Sequence, residues 1–259
     1  LFQIESDGMK KMFKSLNKVD FNTLIAGVSL YRPGPMENIP EYSARANGVR
    51  EFEYLSPEIK QVTSETFGIL VYQEQIMKMS QLLGGYSAGE ADMLRKGMGK
   101  KDDVVVEGEI KKLGERMTQH KHPEMLIKQV GDLIRPFAGY GFNKSHAAAY
   151  AYIAYQTAYF KTHYPIEFMA ALLTIFATDE TKVTNYINEA KRMGIRILPP
   201  DVNKSARGFG IEEGAIRFGL AGTKGLGDAV IQHIMEARPF TSLSDIVERV
   251  PKRQLNKRG

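Results

Sequence analysis

The sequence predicts a mainly α-helical chain carrying one small β element, and three observations lead there. Apolar residues recur at three- and four-residue spacing over most of the first 194 positions, with helix-capping residues at the heads of the runs. Short β-like runs then cluster between about 195 and 220, bracketed by glycines. No internal repeat of about 20–50 residues and no uninterrupted apolar run of about 18 residues is present.

Ser6 caps a first helix striped with Met9, Met12, Phe13 and Leu16, and Asp20 caps a second with Phe21, Leu24, Ile25 and Val28. Arg32-Pro33-Gly34-Pro35 must end it, because two prolines around a glycine cannot continue a helix. Ser56-Pro57 starts another. The spacing of Ile69, Tyr72, Ile76, Met79 and Leu83 predicts a helix over 69–83, stopped by Gly84-Gly85. Ser87-Ala88-Gly89-Glu90 is a capping box that opens a helix with Ala91, Leu94 and Met98 inward. Helices near 103–119 and 124–135 follow, joined by His120-Lys121-His122-Pro123, whose histidines have no nearby third ligand. Asp102-Asp103 is expected to serve as a helix cap.

The stretch from Ala138 to Pro165 organises the middle of the chain. Gly139 and Gly141 give a flexible entry, Asn143 or Ser145 is the N-cap, and Lys144 and His146 occupy the first turn. Free N–H groups, the positive end of the helix dipole and two basic side chains would make that turn an anion site. Ala147, Tyr150, Ala151, Ala154 and Ala158 recur at helical spacing on one face, small enough to pack tightly against a neighbour, while another presents Tyr152, Tyr155, Gln156 and Tyr159, suited to a base. An alanine-rich helix with tyrosines packed into a core fits the same pattern. Pro165 opens a further helix through Phe176, and one more closes at Gly194. Beyond it come the β-like runs 195–198, 208–211 and 215–220, the last two joined as a hairpin at Glu212-Glu213-Gly214.

Lys and Arg number 35 against 30 Asp and Glu, a formal charge of +5, which permits a polyanion partner without demanding one. The absence of cysteine excludes disulfides, thiolate metal sites and thiol nucleophiles, and is compatible with the cytoplasm. No signal peptide or membrane segment is predicted. Leu1-Phe2-Gln3 lacks an initiator Met, and the sequence reads as a piece of a longer polypeptide. Arg95, Lys96, Lys100 and Lys101 crowd one helix end, either as a solvated face favoured by the dipole or as a clamp on a triphosphate. Gly225-Leu226-Gly227 before an apolar helix is either a plain turn or the hairpin of a helix-hairpin-helix module, which lets backbone N–H groups approach a nucleic-acid phosphate. The expected organisation is a helical domain over 1–198, a short β element over 199–222 and a partial helix-hairpin-helix segment over 223–259.

Several ordered strings are more specific than any of these motifs singly. They are Phe2-Gln-Ile-Glu-Ser-Asp-Gly-Met-Lys10, Tyr31-Arg-Pro-Gly-Pro-Met36, Val71-Tyr-Gln-Glu-Gln-Ile-Met77, Leu94-Arg-Lys-Gly-Met-Gly-Lys-Lys101, Gly139-Tyr-Gly-Phe-Asn-Lys-Ser-His-Ala-Ala-Ala-Tyr150, His163-Tyr-Pro-Ile-Glu-Phe-Met-Ala170 and Leu198-Pro-Pro-Asp-Val-Asn203. In this order, and across essentially the whole chain, they resemble the fingers region of the bacterial DNA polymerase III alpha subunit, a C-family replicative polymerase. The resemblance implies a multi-helix fingers domain that positions an incoming dNTP and a primer–template for nucleotidyl transfer. It implies dNTP contacts from Arg95, Lys96, Lys100, Lys101, Asn143, Lys144 and His146, and DNA contacts from Lys224, Gly225 and Gly227. Where the family has two consecutive arginines, this sequence has Arg95 followed by Lys96, which lacks the bidentate fork. The family's palm holds Mg²⁺ with an Asp-x-Asp pair, and no Asp-x-Asp occurs here, so the metal is expected on the parent's palm and the isolated piece is expected to be inactive. Other holoenzyme subunits are implied as partners through the parent. A stand-alone helical nucleic-acid-binding module without enzymatic activity is the alternative reading. A helix-hairpin-helix repair enzyme would need a catalytic acid in a second half, and about 30 residues follow Gly227.

Overall fold

The computed structural model describes residues 1–100 and 102–250. Among them are thirteen α-helices: α1 Asp7–Lys14, α2 Phe21–Leu30, α3 Ile39–Ala46, α4 Pro57–Thr63, α5 Gln73–Gly84, α6 Ala88–Met98, α7 Asp103–Gln119, α8 Glu124–Ile134, α9 Lys144–His163, α10 Pro165–Ile175, α11 Glu180–Arg192, α12 Asp228–Ala237 and α13 Leu243–Arg249. The mainly helical class is as predicted. The chain forms two compact units, Leu1–Thr157 and Ala158–Gly259, and the division falls inside α9, whereas the sequence reading set its boundaries at 198 and 222.

Caps account for most helix starts. Ser6, Asp20, Ser56 and Ser87 each accept a backbone N–H from the first turn of the helix they precede. Asp102 accepts from Val104 and Val105 at the head of α7. At α9 the cap is Asn143, whose Oδ1 accepts the His146 N–H at 2.8 Å, and Ser145 lies inside the helix.

One predicted element is corrected. The helix expected over 69–83 begins only at Gln73, and Ile69, Leu70, Val71 and Tyr72 are a buried segment ahead of it. Gln75 is the reason. Its Oε1 accepts the N–H groups of Val71 and Tyr72 at 2.8 and 2.9 Å, so those donors are satisfied without a preceding helical turn. Its Nε2 donates to Thr66 Oγ1 at 2.8 Å and to the Val62 carbonyl at 3.3 Å, which makes this amide, 3% exposed, a four-way internal tie.

Two apolar clusters fill the first unit. One packs Ile76, Met79 and Leu83 of α5 against Leu94 and Met98 of α6, Leu113 and Met117 of α7, and Val130 and Ile134 of α8. Full burial of side chains such as Leu83 and Leu94 contributes about 1.5–3 kcal/mol each. The other gathers Ile25 and Leu30 of α2, Tyr42 of α3 and Tyr72 around Ala147, Ala151 and Ala154 of α9, while Tyr150 and Ala158 of the predicted face are only half-buried.

In the second unit, α10 and α11 enclose a core with a three-stranded sheet of order β1-β3-β2. The strands are β1 Ile197–Leu198, β2 Gly210–Glu212 and β3 Ala215–Arg217, shorter than the runs in the sequence. β3 stops at Arg217 because Leu220–Gly222 turns into a 3₁₀ helix tied to Ala206 and Arg207 by the N–H groups of Leu220 and Ala221. β2 and β3 form the predicted hairpin through Glu213 and Gly214, both at positive φ, as a two-residue turn of type I′ requires. A separate cluster holds α12 through Val230, Ile231 and Ile234. Among the described residues no helix is long and apolar enough to cross a membrane.

Candidate nucleotide and nucleic-acid interface

Arg95 lies in the last turn of α6, and its guanidinium reaches beyond its own helix. Nη1 donates to Gln73 Oε1 at 3.3 Å, while Gln73 Nε2 donates to the Gly141 carbonyl at 2.9 Å. The loop that leads into α9 is held to the same place by further bonds, from the Gly139 N–H to the Met98 carbonyl at 2.9 Å and from the Phe142 N–H to the Val71 carbonyl at 3.2 Å. Gly139 needs its glycine for a φ of 80°, and a Cβ on Gly141 would collide with the Phe137 ring. Arg95, Gln73, Gly99, Gly139 and Gly141 line a cavity of about 80 Å³. Sites that bury a small ligand run to about 300 Å³ and more, so this cavity would take one charged group of a larger ligand lying on the surface. A cavity of about 360 Å³ bordered by Glu37, Glu41 and Asp132 has Arg45 as its one basic side chain, already engaged by Glu41, and is a poor host for phosphate.

Carboxylates occupy most of the predicted cations. Asp92 pairs with Arg95 at 2.8 Å and Lys96 at 2.9 Å, and hydrogen bonds from Lys96 and then Arg95 hold its carboxyl below its usual range. At the head of α9, Glu74 accepts the Lys144 N–H with both oxygens at 3.0 Å and takes Asn143 Nδ2 at 2.9 Å. Lys144 Nζ pairs with Glu65 at 2.6 Å and lies 5.4 Å from the centre of the Tyr72 ring. Burial, with Glu65 adding to it, pushes the Tyr72 phenol up. The anion site predicted for this turn is thus filled by the protein's own Glu74. Lys96, Lys100, Asn143, Lys144 and His146 do not line the Arg95 cavity. Lys100 is exposed, and Lys101 lies outside the described residues.

Sequence reasoning missed a stacked row beside the head of α9. Arg32 lies 3.7 Å over the Phe142 ring, His146 meets Phe142 edge-on at 5.4 Å and Tyr150 at 4.4 Å, and Phe2 meets Tyr150 at 5.4 Å. The 142, 146, 150 spacing is legible as a helical stripe, but Arg32 and Phe2 reach it from more than a hundred residues away. On α9 itself Tyr152, Tyr155 and Tyr159 are exposed rather than packed into a core.

In the second unit Lys224, Gly225 and Gly227 share one exposed turn at the head of α12, with Gly225 at φ 94°. Lys224 Nζ lies 3.2 Å from Glu180, and Arg207 pairs with Asp228 at 2.9 Å.

The sequence profile of the bacterial DNA polymerase III alpha subunit finger domain matches residues 1–121, and that of the helix-hairpin-helix motif matches residues 194–259. The chain is 44% identical over 268 residues to the DNA polymerase III subunit alpha of Thermus aquaticus, a match covering all of this chain and 22% of that protein. Along its whole length the chain is similar to a part of the bacterial DNA polymerase III alpha subunits, and over residues 1–121 to their finger domain. Identity is 45% over 265 residues with the subunit alpha of Aquifex aeolicus and 41% over 261 with that of Bacillus subtilis, all of this chain and 23% of each relative. The chain therefore spans less than a quarter of the length of these relatives. Residues 251–259, the end of the predicted helix-hairpin-helix segment, lie outside the described residues. Among the described residues no three His, Cys, Asp or Glu side chains are grouped so as to hold a metal ion.

Proposed function

We propose that this chain is the fingers portion of a DNA-directed DNA polymerase, and that it positions an incoming dNTP and the template for nucleotidyl transfer during replication in the cytoplasm. The reading is carried by the match of the whole chain to alpha subunits together with the placement of Arg95 at the loop leading into α9. Arg95 would take a phosphate of the incoming nucleotide with a fork of N–H donors, and Lys96 and Lys100 would add charge from the same helix end. The row Phe142, His146 and Tyr150 offers ring surface against which a base or base pair can stack. The exposed turn at Lys224, Gly225 and Gly227 is suited to a duplex phosphate, because its glycines leave backbone N–H groups approachable.

In this reading the fingers contribute orientation and electrostatic stabilisation of the triphosphate as the primer 3′-oxygen attacks the α-phosphorus and pyrophosphate departs. The carboxylates that hold Mg²⁺ belong to the parent's palm, and other holoenzyme subunits engage the parent elsewhere. The test is Arg95→Glu in the full-length polymerase. Extension should fall at least about a hundredfold, with part of the loss seen as a raised KM for dNTP; unaltered extension would refute the assignment of Arg95.

A further inference from the structure

Arg95 and Lys96 share a single carboxylate. Asp92, one turn earlier on α6, splits its oxygens between them. Oδ1 accepts from Arg95 Nε at 2.9 Å with Nη2 at 2.8 Å, and Oδ2 takes Lys96 Nζ at 2.9 Å. Two oxygens of one anion bridging a guanidinium and an ammonium is the arrangement a phosphoryl group would adopt with the same pair. The Asp92 side chain is 37% exposed, and both contacts lie within one helix, so a side-chain rotation releases them. Exposed pairs of this kind are worth little in water, which makes exchange for another anion cheap. Arg95 keeps a third tie that does not involve Asp92, the bond from Nη1 to Gln73. The guanidinium is therefore held at its cavity when Asp92 lets go.

The carboxylates at the head of α9 differ. Glu74 and Glu65 reach their partners across 70 and 79 residues of sequence, and Glu74 is bonded to backbone. Displacing Glu74 would free the first-turn backbone of α9, and Glu65 holds the Lys144 ammonium, which does not line the Arg95 cavity, so exchange at that cavity is confined to Asp92.

We propose that Asp92 is an internal stand-in for phosphate: it keeps Arg95 and Lys96 paired and oriented until a polyphosphate replaces it, and so sets how tightly the fingers hold a nucleotide. The inference rests on the reading of Arg95 as a phosphate ligand. Isothermal titration of the 259-residue chain with inorganic tripolyphosphate and with dATP tests it. Asp92→Asn and Asp92→Ser should each bind both probes about three- to tenfold more tightly than the unsubstituted chain. Arg95→Ala should bind both at least about tenfold more weakly. Equal or weaker binding by both Asp92 variants, with Arg95→Ala still weakened, would overturn the stand-in and leave the phosphate reading intact. Tightening for dATP alone would also overturn it, because the gain would then not lie at phosphate. Undiminished binding by Arg95→Ala would remove the phosphate reading and this inference with it.

Discussion

Glu90 closes the capping box of α6 by accepting the Ser87 N–H at 2.8 Å, and it also pairs with Arg116 of α7. The Ser87 bond first and the Arg116 bond second bring its pKa from 4.5 down to about 2. A carboxyl depressed by folding contributes stability above its unfolded pKa and loses it as pH falls through the folded value. Thermal melts should therefore show Glu90→Gln less stable than the unsubstituted chain at pH 6, with the gap closing between about pH 4.5 and about pH 2. A gap independent of pH would contradict the assignment. Gly219 shows close approach of backbones, since a Cβ there would stand 2.6 Å from the Gly208 carbonyl oxygen. Gly219→Ala should cost roughly 1–3 kcal/mol in urea unfolding, as overpacking does. At this scale the sequence was most readable where partners are neighbours. The caps at Ser6, Asp20 and Ser87, and the basic pair Arg95 and Lys96, stand in the primary structure, and Asp92 could have been read from its spacing of three and four to that pair. The Gln73 bridge from Arg95 to Gly141 could not, because it joins residues 68 apart in sequence.

Among the elements, α5 shows what periodicity alone misreads. Ile69 and Tyr72 keep the helical spacing of Ile76, Met79 and Leu83 yet lie ahead of the helix, since Gln75 satisfies the backbone there. Gln75→Leu would bury the Val71 and Tyr72 N–H groups without partners. The expected loss is about 2–4 kcal/mol by chemical denaturation, and a loss under about 1 kcal/mol would show that Gln75 is not the tie described. The head of α9 was legible as a helix start with Asn143 or Ser145 as cap, while its internal counter-anion was not, because Glu74 comes from another element. Replacing Glu74 by Ala should destabilise the chain by about 1 kcal/mol through loss of these bonds to the first turn. An unchanged melting temperature would contradict that role.

For the whole molecule, the helical class and the position of the small sheet were readable from patterning, whereas the glycines near 225 left a plain turn and a helix-hairpin-helix over 223–259 both open, and the motif's match begins earlier, at 194. The division into units inside α9 was not, because a continuous helix gives no sign in sequence of where its neighbours change. For the proposed binding of nucleic acid, a net charge of +5 implies association driven largely by phosphate contacts, and so dependent on salt. The central claim, that this chain is a surface for positioning DNA and nucleotide, is tested most directly by fluorescence anisotropy of a labelled primer–template titrated with the chain at about 50 and about 200 mM salt, with and without dNTP. The account predicts binding at the lower salt that weakens at least about tenfold at the higher and tightens when the matching dNTP is added. No binding at the lower salt, or binding indifferent to both salt and dNTP, would contradict it.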